Sequence, residues 1–339
     1  MANRILHVDP SFTLLMADCA FQAYAVLPPK PPALAPLIVP PSGYSVVGQW
    51  NGRNPGYFFD NVEPYGFIFQ NDTDKGEYIF SFRGTVTKSD MYEDLFAELA
   101  LFHTFKNSTP GKVHVATGFR DIYIAAVTPG GTDSMQEQLF GWLDRLKPTK
   151  LYITGHSLGS ALAELFTLDL YVSLPKRKFA VRHCNFACPR VGVTSFANLY
   201  KALEAGEPEE NRTVRLVNWY DEIPCLPPYI WEVAEYTHGP AYFLISFYDT
   251  ANDTYVERHS MYNYWHVLQK VVHNNPQVFS GPVIGIKNAP LLSNAPDVSQ
   301  TECTLFANES TKTSPEVEPA PKPEELSSRK GCLGYFSLF

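Results

Sequence analysis

The sequence predicts an α/β protein: a mostly parallel central sheet with helices on both faces. Three observations carry this reading. Short apolar runs of strand character alternate with longer segments of helical spacing, as in strand–helix–strand units. One such junction, Gly155-His156-Ser157-Leu158-Gly159, lies between an apolar strand and an apolar helix. The composition is globular: of 339 residues, 45% are hydrophobic, 14% aromatic and 18% charged, which excludes a disordered chain, a coiled coil and a collagen-like repeat. A chain this long buries a core without staples. A net charge of −8 argues against a broad basic face for nucleic acid, and no apolar stretch reaches the ~18 residues of a membrane span.

The elements follow in order. Residues 12–27 place Phe12, Leu15, Met16, Cys19, Ala23 and Val26 at helical spacing. Seven prolines between 28 and 41 make an extended arm. Residues 65–69 and 77–82 flank a polar turn and read as a hairpin. Met91, Leu95, Leu99 and Phe102 predict a helix over 90–105, and helices are expected over 117–128 and 133–146. Strands are expected at 150–154, 181–187 and 213–219, with a helix over 158–174. The expected organisation is a domain over 1–290, its N-terminal helix and proline-rich arm (1–45) packed on it, and a disordered tail from 291. Residues 308–330 are rich in Glu, Lys, Pro, Ser and Thr.

Six cysteines, at 19, 184, 188, 225, 303 and 332, form no C-x-x-C motif. Cys184 and Cys188 are read as small buried hydrophobes rather than half a metal site. Asp9-Pro10 and Asp18 interrupt the N-terminal apolar stretch, so it does not read as a secretion signal. That favours a cytoplasmic or peripheral membrane location, while sequons at Asn71, Asn107, Asn211, Asn252 and Asn308 keep secretion open.

The chemistry centres on the pentapeptide. A G-x-S-x-G between strand and helix is a nucleophile elbow: glycines let the two elements approach, and the serine Oγ stands at the sheet's edge. Ser157 is therefore the candidate nucleophile. It needs a base and an acid that orients the base. In this architecture they follow in the order acid, then histidine. Asp221 stands just after the strand 213–219, at the end where such sheets present functional loops. Four histidines lie beyond it (His238, His259, His266 and His273), and spacing does not choose among them. Candidate oxyanion donors are the Leu158 N–H and Thr85, which follows Arg83-Gly84 after the second hairpin strand.

These residues resemble the class 3, fungal-type triacylglycerol lipases of the α/β-hydrolase fold. The ordered series runs Phe82-Arg83-Gly84-Thr85, Asp94-Leu95, Gly118-Phe119, Thr154–Gly159, Ala161-Leu162-Ala163, Pro189-Arg190-Val191-Gly192, Asn218–Pro228 and His259-Ser260-Met261-Tyr262. The resemblance implies Ser157 as nucleophile, Asp221 as acid and His259 as base, with Tyr262 and Tyr264 both fitting the histidine's context. His266 is the second choice of base, and His238 matches a recurring non-catalytic histidine. Thr85 corresponds to the oxyanion residue, Asp94 to the aspartate that braces it, and His156 to a supporting position. Ser160 departs from a third elbow glycine, Ala187 from a glycine, Val193 from an asparagine and Met91 from a tryptophan.

The implied reaction is ester hydrolysis through an acyl-enzyme, needing no metal or organic cofactor. The implied partners are a lipid ester substrate and a peripheral membrane or lipid-droplet interface, not nucleic acid. The alternatives are a phospholipase or monoacylglycerol lipase, a short-chain or feruloyl-type esterase, and a catalytically silent binding domain. Residues 86–105 read either as an amphipathic lid or as an ordinary surface helix. In the tail, Cys332 beside Arg329, Lys330, Phe336 and Phe339 offers an S-acylation segment, weighed against an inert tail.

Overall fold

The structure is a computed structural model. It describes residues 9–26, 38–55, 60–85, 98–106, 111–128, 130–218, 220–227, 230–231, 234–245, 247–249, 255–274 and 286–288. Seven strands form the main sheet, in chain order across it: β1 Tyr44–Pro55, β2 Asp60–Asn71, β3 Glu77–Phe82, β4 Lys150–His156, β5 Ala180–Phe186, β6 Val214–Asn218 and β7 Ala241–Ile245. β1, β2 and β3 pair antiparallel, and β3 through β7 run parallel. Phe82 pairs with Gly155, His156 with Phe186, and Phe186 with Leu216. That register brings the C-terminal ends of β3 to β6 to one edge, where loops of a parallel sheet carry function.

Side chains alternate across the pleat, so each strand feeds two cores. Phe67, Phe69 and Ile79 face one core with α1 (Pro10–Gln22) and α6 (Met261–Asn274), through Met16, Ala20, Tyr264 and Val267. Ile68, Phe80 and Phe82 face the other. There lie α2 (Thr117–Ile124), α3 (Met135–Leu146), α4 (Leu158–Ser173) and α5 (Thr194–Glu204). Local signals fix the helix starts. Asp9 Oδ1 accepts from the Ser11 and Phe12 N–H groups ahead of α1, and Ser134 Oγ accepts from the Glu137 N–H at α3. In α4 every residue from Leu158 to Tyr171 is buried, the mark of a helix enclosed on all sides.

The structure corrects several sequence expectations. Leu99–Leu101 is a short strand antiparallel to His114–Ala116, not the end of a helix over 90–105. Ala100 faces inward while Leu99 and Leu101 face outward, so an apolar run that also fits helical spacing is read by the sheet at period two. Residues 86–97, with most of the lid segment and Asp94, lie outside the described residues. So do the tail from 291 and Cys332. β1 and β7 were not anticipated. In β1, Gly48 and Gly52 dilute the apolar pattern, yet a Cβ at Gly48 would stand 2.7 Å from the Trp142 ring, and one at Gly52 2.6 Å from the Tyr65 ring. Cys184 and Cys188, read from the sequence as small buried hydrophobes, are buried in different cores and are free.

Candidate active site

The elbow is built by close packing. Ser157 follows β4 with φ 57° and ψ −128°, a strained backbone that turns directly into α4. A Cβ at Gly155 would lie 2.5 Å from the Gly159 carbonyl oxygen, and one at Gly159 2.5 Å from the Phe82 carbonyl oxygen. Both positions therefore need glycine. Ser160 replaces a third glycine by using its hydroxyl, which lies 2.8 Å from the Gly155 carbonyl and 2.7 Å from that of Phe186. The side chain ties helix, elbow and β5 together.

His259 reaches Ser157 from a distant part of the chain. Its Nε2 lies 2.7 Å from Ser157 Oγ, and its Nδ1 lies 3.0 and 2.9 Å from the two carboxylate oxygens of Asp221. All three residues are buried. Asp221 Oδ1 accepts the Ile223 N–H at 3.0 Å, and Oδ2 accepts the Tyr264 hydroxyl at 3.0 Å. Tyr264 in turn accepts the Asn218 N–H at 2.7 Å. Burial and the Asp221 charge push its phenol well above the usual range, so Tyr264 remains a donor. Asn218 Nδ2 donates to the Phe247 and Arg258 carbonyls at 2.9 and 3.0 Å. That clamps the short helix Tyr255–His259 to the end of β6. Of the two tyrosines the sequence left open, Tyr264 reaches the acid, while Tyr262 is 49% exposed. His266 stacks on Tyr262 with ring centroids 5.6 Å apart, and His238 Nε2 bonds the Pro224 carbonyl at 2.9 Å. His259 is thus the histidine brought to Ser157 Oγ.

The strand end that carries the candidate oxyanion residue Thr85 is laid on the elbow. Leu158 opens α4, and the N–H groups of a first helical turn have no intrahelical acceptor. Thr85 follows Gly84, whose Cβ would collide with the Tyr24 hydroxyl and lie 2.6 Å from the His156 carbonyl oxygen. The backbone at 83–84 therefore runs hard against the elbow. Arg83 is buried and forms a paired contact with Glu63, at 2.8 and 3.1 Å, which anchors this strand end. His156 bonds the His259 carbonyl through Nε2 at 2.7 Å and Tyr24 through Nδ1 at 2.6 Å. Burial and the neighbouring His259 hold its pKa well below the usual imidazole value.

Sequence reasoning missed Asn218, Tyr24 and Arg190 as parts of this site. Arg190 bonds the Cys225 and Pro227 carbonyls, and its N–H donates to the Leu226 carbonyl at 2.7 Å. It thereby pins the loop that follows Asp221. Pro189-Arg190-Val191-Gly192 was visible as a motif, but motif matching gives no partner. Among the described residues, no cluster of three or more His, Cys, Asp or Glu could hold a metal ion.

Comparison with known proteins bears on this geometry. Residues 79–231 match the family model described as lipase (class 3). The chain is 27% identical over 204 residues to the galactolipase DONGLE of Arabidopsis thaliana, covering 52% of this chain and 42% of that protein. It is 25% identical over 260 residues to the phospholipase A1-Ialpha2 of the same plant, covering 68% and 50%. It thus spans half or less of the length of these curated relatives. The crystal structure of Lip2 lipase from Yarrowia lipolytica superposes with a TM-score of 0.53 at 20% identity, over 72% of this chain and 81% of that one. The fold is that of the α/β-hydrolases.

Proposed function

Because residues 79–231 match the class 3 lipase family model, we propose that this chain is a serine hydrolase that cleaves carboxylic ester bonds of lipids. The observation that carries the proposal is the hydrogen-bonded line from Ser157 Oγ through His259 to the Asp221 carboxylate. His259 Nε2 takes the hydroxyl proton as Ser157 Oγ attacks the ester carbonyl carbon. Asp221 fixes the ring with its Nδ1 proton inward and balances the imidazolium that forms. The Leu158 N–H and Thr85 receive the oxyanion, and one good donor of this kind contributes about 3–4 kcal/mol. His259 then protonates the leaving alcohol. A water, deprotonated by the same ring, attacks the acyl-enzyme carbonyl, and His259 returns that proton to Ser157 Oγ as the acid leaves, so protons balance and no cofactor enters.

The relatives are named as a galactolipase and a phospholipase A1. These names support polar membrane glycerolipids as the first substrates to offer, met at a lipid surface, with triacylglycerol second. The test is hydrolysis of p-nitrophenyl esters from two to sixteen carbons, then of phosphatidylcholine, monogalactosyldiacylglycerol and triolein, by the chain and by Ser157→Ala. Turnover that rises with acyl length and disappears in the variant is the expected result. Turnover confined to short esters would replace the lipid reading by a small-ester esterase. A folded protein inactive on every ester, with a lipid interface supplied, would leave a silent binding domain.

A further inference from the structure

Tyr24 lies outside the family-matched segment and far from every motif in the sequence, yet it touches both halves of the candidate site. The chain from 9 to 26 is stitched to the strands beneath the site. Ser81 Oγ of β3 donates to the Cys19 carbonyl at 2.8 Å, and Thr154 Oγ1 of β4 donates to that of Met16 at 3.2 Å. Both hydroxyls are buried in the sheet, and α1 supplies their acceptors. Trp265 Nε1 of α6 donates to Asp18 at 2.5 Å. After α1, the turn Ala23–Val26 delivers the Tyr24 hydroxyl to a point 2.6 Å from His156 Nδ1 and against the Gly84 backbone.

The donors along this path are fixed by elimination. The His259 carbonyl can only accept, so His156 Nε2 carries the proton of that 2.7 Å bond. In the neutral ring Nδ1 is then the lone-pair nitrogen, and the Tyr24 hydroxyl must donate to it. The phenol oxygen packs against the Gly84 backbone, where a Cβ would collide with it. The series runs Tyr24 O–H to His156 and His156 N–H to the carbonyl of His259, with the Gly84 backbone seated on its first member.

We propose that Tyr24 is a positioning residue of the hydrolytic site: one hydroxyl sets the placement of the Gly84-Thr85 strand end and, through His156, of the backbone carrying His259. The inference rests on the roles assigned above to Ser157, Thr85 and His259. It makes the N-terminal segment part of the reacting geometry as well as of the core. Removing the hydroxyl leaves His156 Nδ1 without this partner and takes away the atom on which the Gly84 backbone packs, so both shift. A displacement of ~1 Å at a reacting group costs up to about 100-fold in rate. Tyr24 acts at one remove, so about tenfold is expected.

The test uses the full chain, with Tyr24→Phe, Asp18→Asn and wild type compared. Active sites are counted with a fluorophosphonate–rhodamine probe. Per active site, kcat and KM are measured on p-nitrophenyl butyrate, together with the Ki of an alkyl trifluoromethyl ketone, whose hemiketal oxygen occupies the oxyanion position. Tyr24→Phe is expected to lower kcat about tenfold, to leave KM within twofold, and to weaken the ketone by the same factor as kcat. Asp18→Asn loosens the same N-terminal segment without touching the series, and keeps kcat and Ki within twofold. Equal kcat per active site in Tyr24→Phe and wild type, or equal losses in the two variants, would overturn the proposal and leave Tyr24 a packing residue. A wild type that neither turns over ester nor labels at Ser157 would overturn the hydrolase reading itself and this role with it.

Discussion

Two neighbouring turns in this molecule share an uncommon positive φ for different ends. Ser157 follows β4 at φ 57° and Ala187 follows β5 at φ 52°, and the Ser157 N–H donates to the carbonyl of Phe186 at 3.1 Å. A sparsely populated positive-φ backbone costs an L-residue about 1–3 kcal/mol, and both positions bear such a cost in adjacent strand ends. At Ser157 the turn holds Oγ 2.7 Å from His259, and Gly155 and Gly159 make room for it. At Ala187 the turn carries a methyl group, its N–H donates to the Leu216 carbonyl at 2.9 Å, and no glycine adjoins it. The strain at both sites comes from turning a parallel strand away from the sheet edge, and the chemistry from what one side chain meets there. A strained residue is therefore a pointer to function only when a reacting partner faces it.

Four substitutions at these turns, and one at the acid, test that contrast. The largest effect is expected at Asp221. Asp221→Asn keeps the shape but presents an amide to His259 Nδ1, favouring the wrong tautomer, and should lower kcat by about 10^4-fold with little change in melting temperature. Steady-state kinetics beside calorimetry checks both halves.

Gly159→Ala drives a methyl into the Phe82 and Arg83 backbone, atoms that cannot swing aside. The expected loss is about 2–3 kcal/mol in urea unfolding. An unchanged midpoint would show that the elbow does not need its glycine.

Beneath the second turn lies Glu164, buried within α4, where its Oε1 accepts from Asn185 Nδ2 at 3.2 Å. Burial pushes its carboxyl up from 4.5 to about 7. In that window the folded chain holds a proton that the unfolded chain releases, so this group's contribution to stability falls as pH rises from about 4.5 through 7. Glu164→Gln should flatten stability over this range, read as the urea midpoint at pH 5, 6, 7 and 8. A slope identical to wild type would place the pH dependence elsewhere.

Ser160→Ala removes the hydroxyl shared between the two turns, and about 1 kcal/mol of stability should go with it. The smallest effect is expected at Ala187. Ala187→Gly relieves the left-handed strain but gives the unfolded chain more freedom. The balance should leave the protein about 0.5–1 kcal/mol more stable, with kcat unchanged. A loss of activity there would mean that the second turn also shapes the reacting centre.

Much of this was legible before the fold was known, for local reasons. Gly155-His156-Ser157-Leu158-Gly159 reads as an elbow because the requirement for glycine lies within a few residues of the strained serine. The strands at β3 to β6 and the helix α4 read correctly because apolar runs report burial directly. Leu99–Leu101 misled because a few apolar residues satisfy periods of both two and 3.6, and only the pairing with His114–Ala116 decides. β1 was hidden because its glycines exist for Trp142 and Tyr65, which arrive from elsewhere in the fold.

The sequence by itself determined the α/β architecture, the order of Ser157, Asp221 and the later histidines, and the resemblance that favoured His259. Only the tertiary structure decided which histidine meets Ser157 Oγ, which of Tyr262 and Tyr264 reaches Asp221, and that Tyr24 joins Gly84 to His156. The division has a physical cause. Strand, turn and helix are set by interactions among near neighbours in the chain. A hydrogen bond between residues separated by 102 or 132 positions, as in His259–Ser157 and Tyr24–His156, exists only after the sheet has fixed where each strand ends.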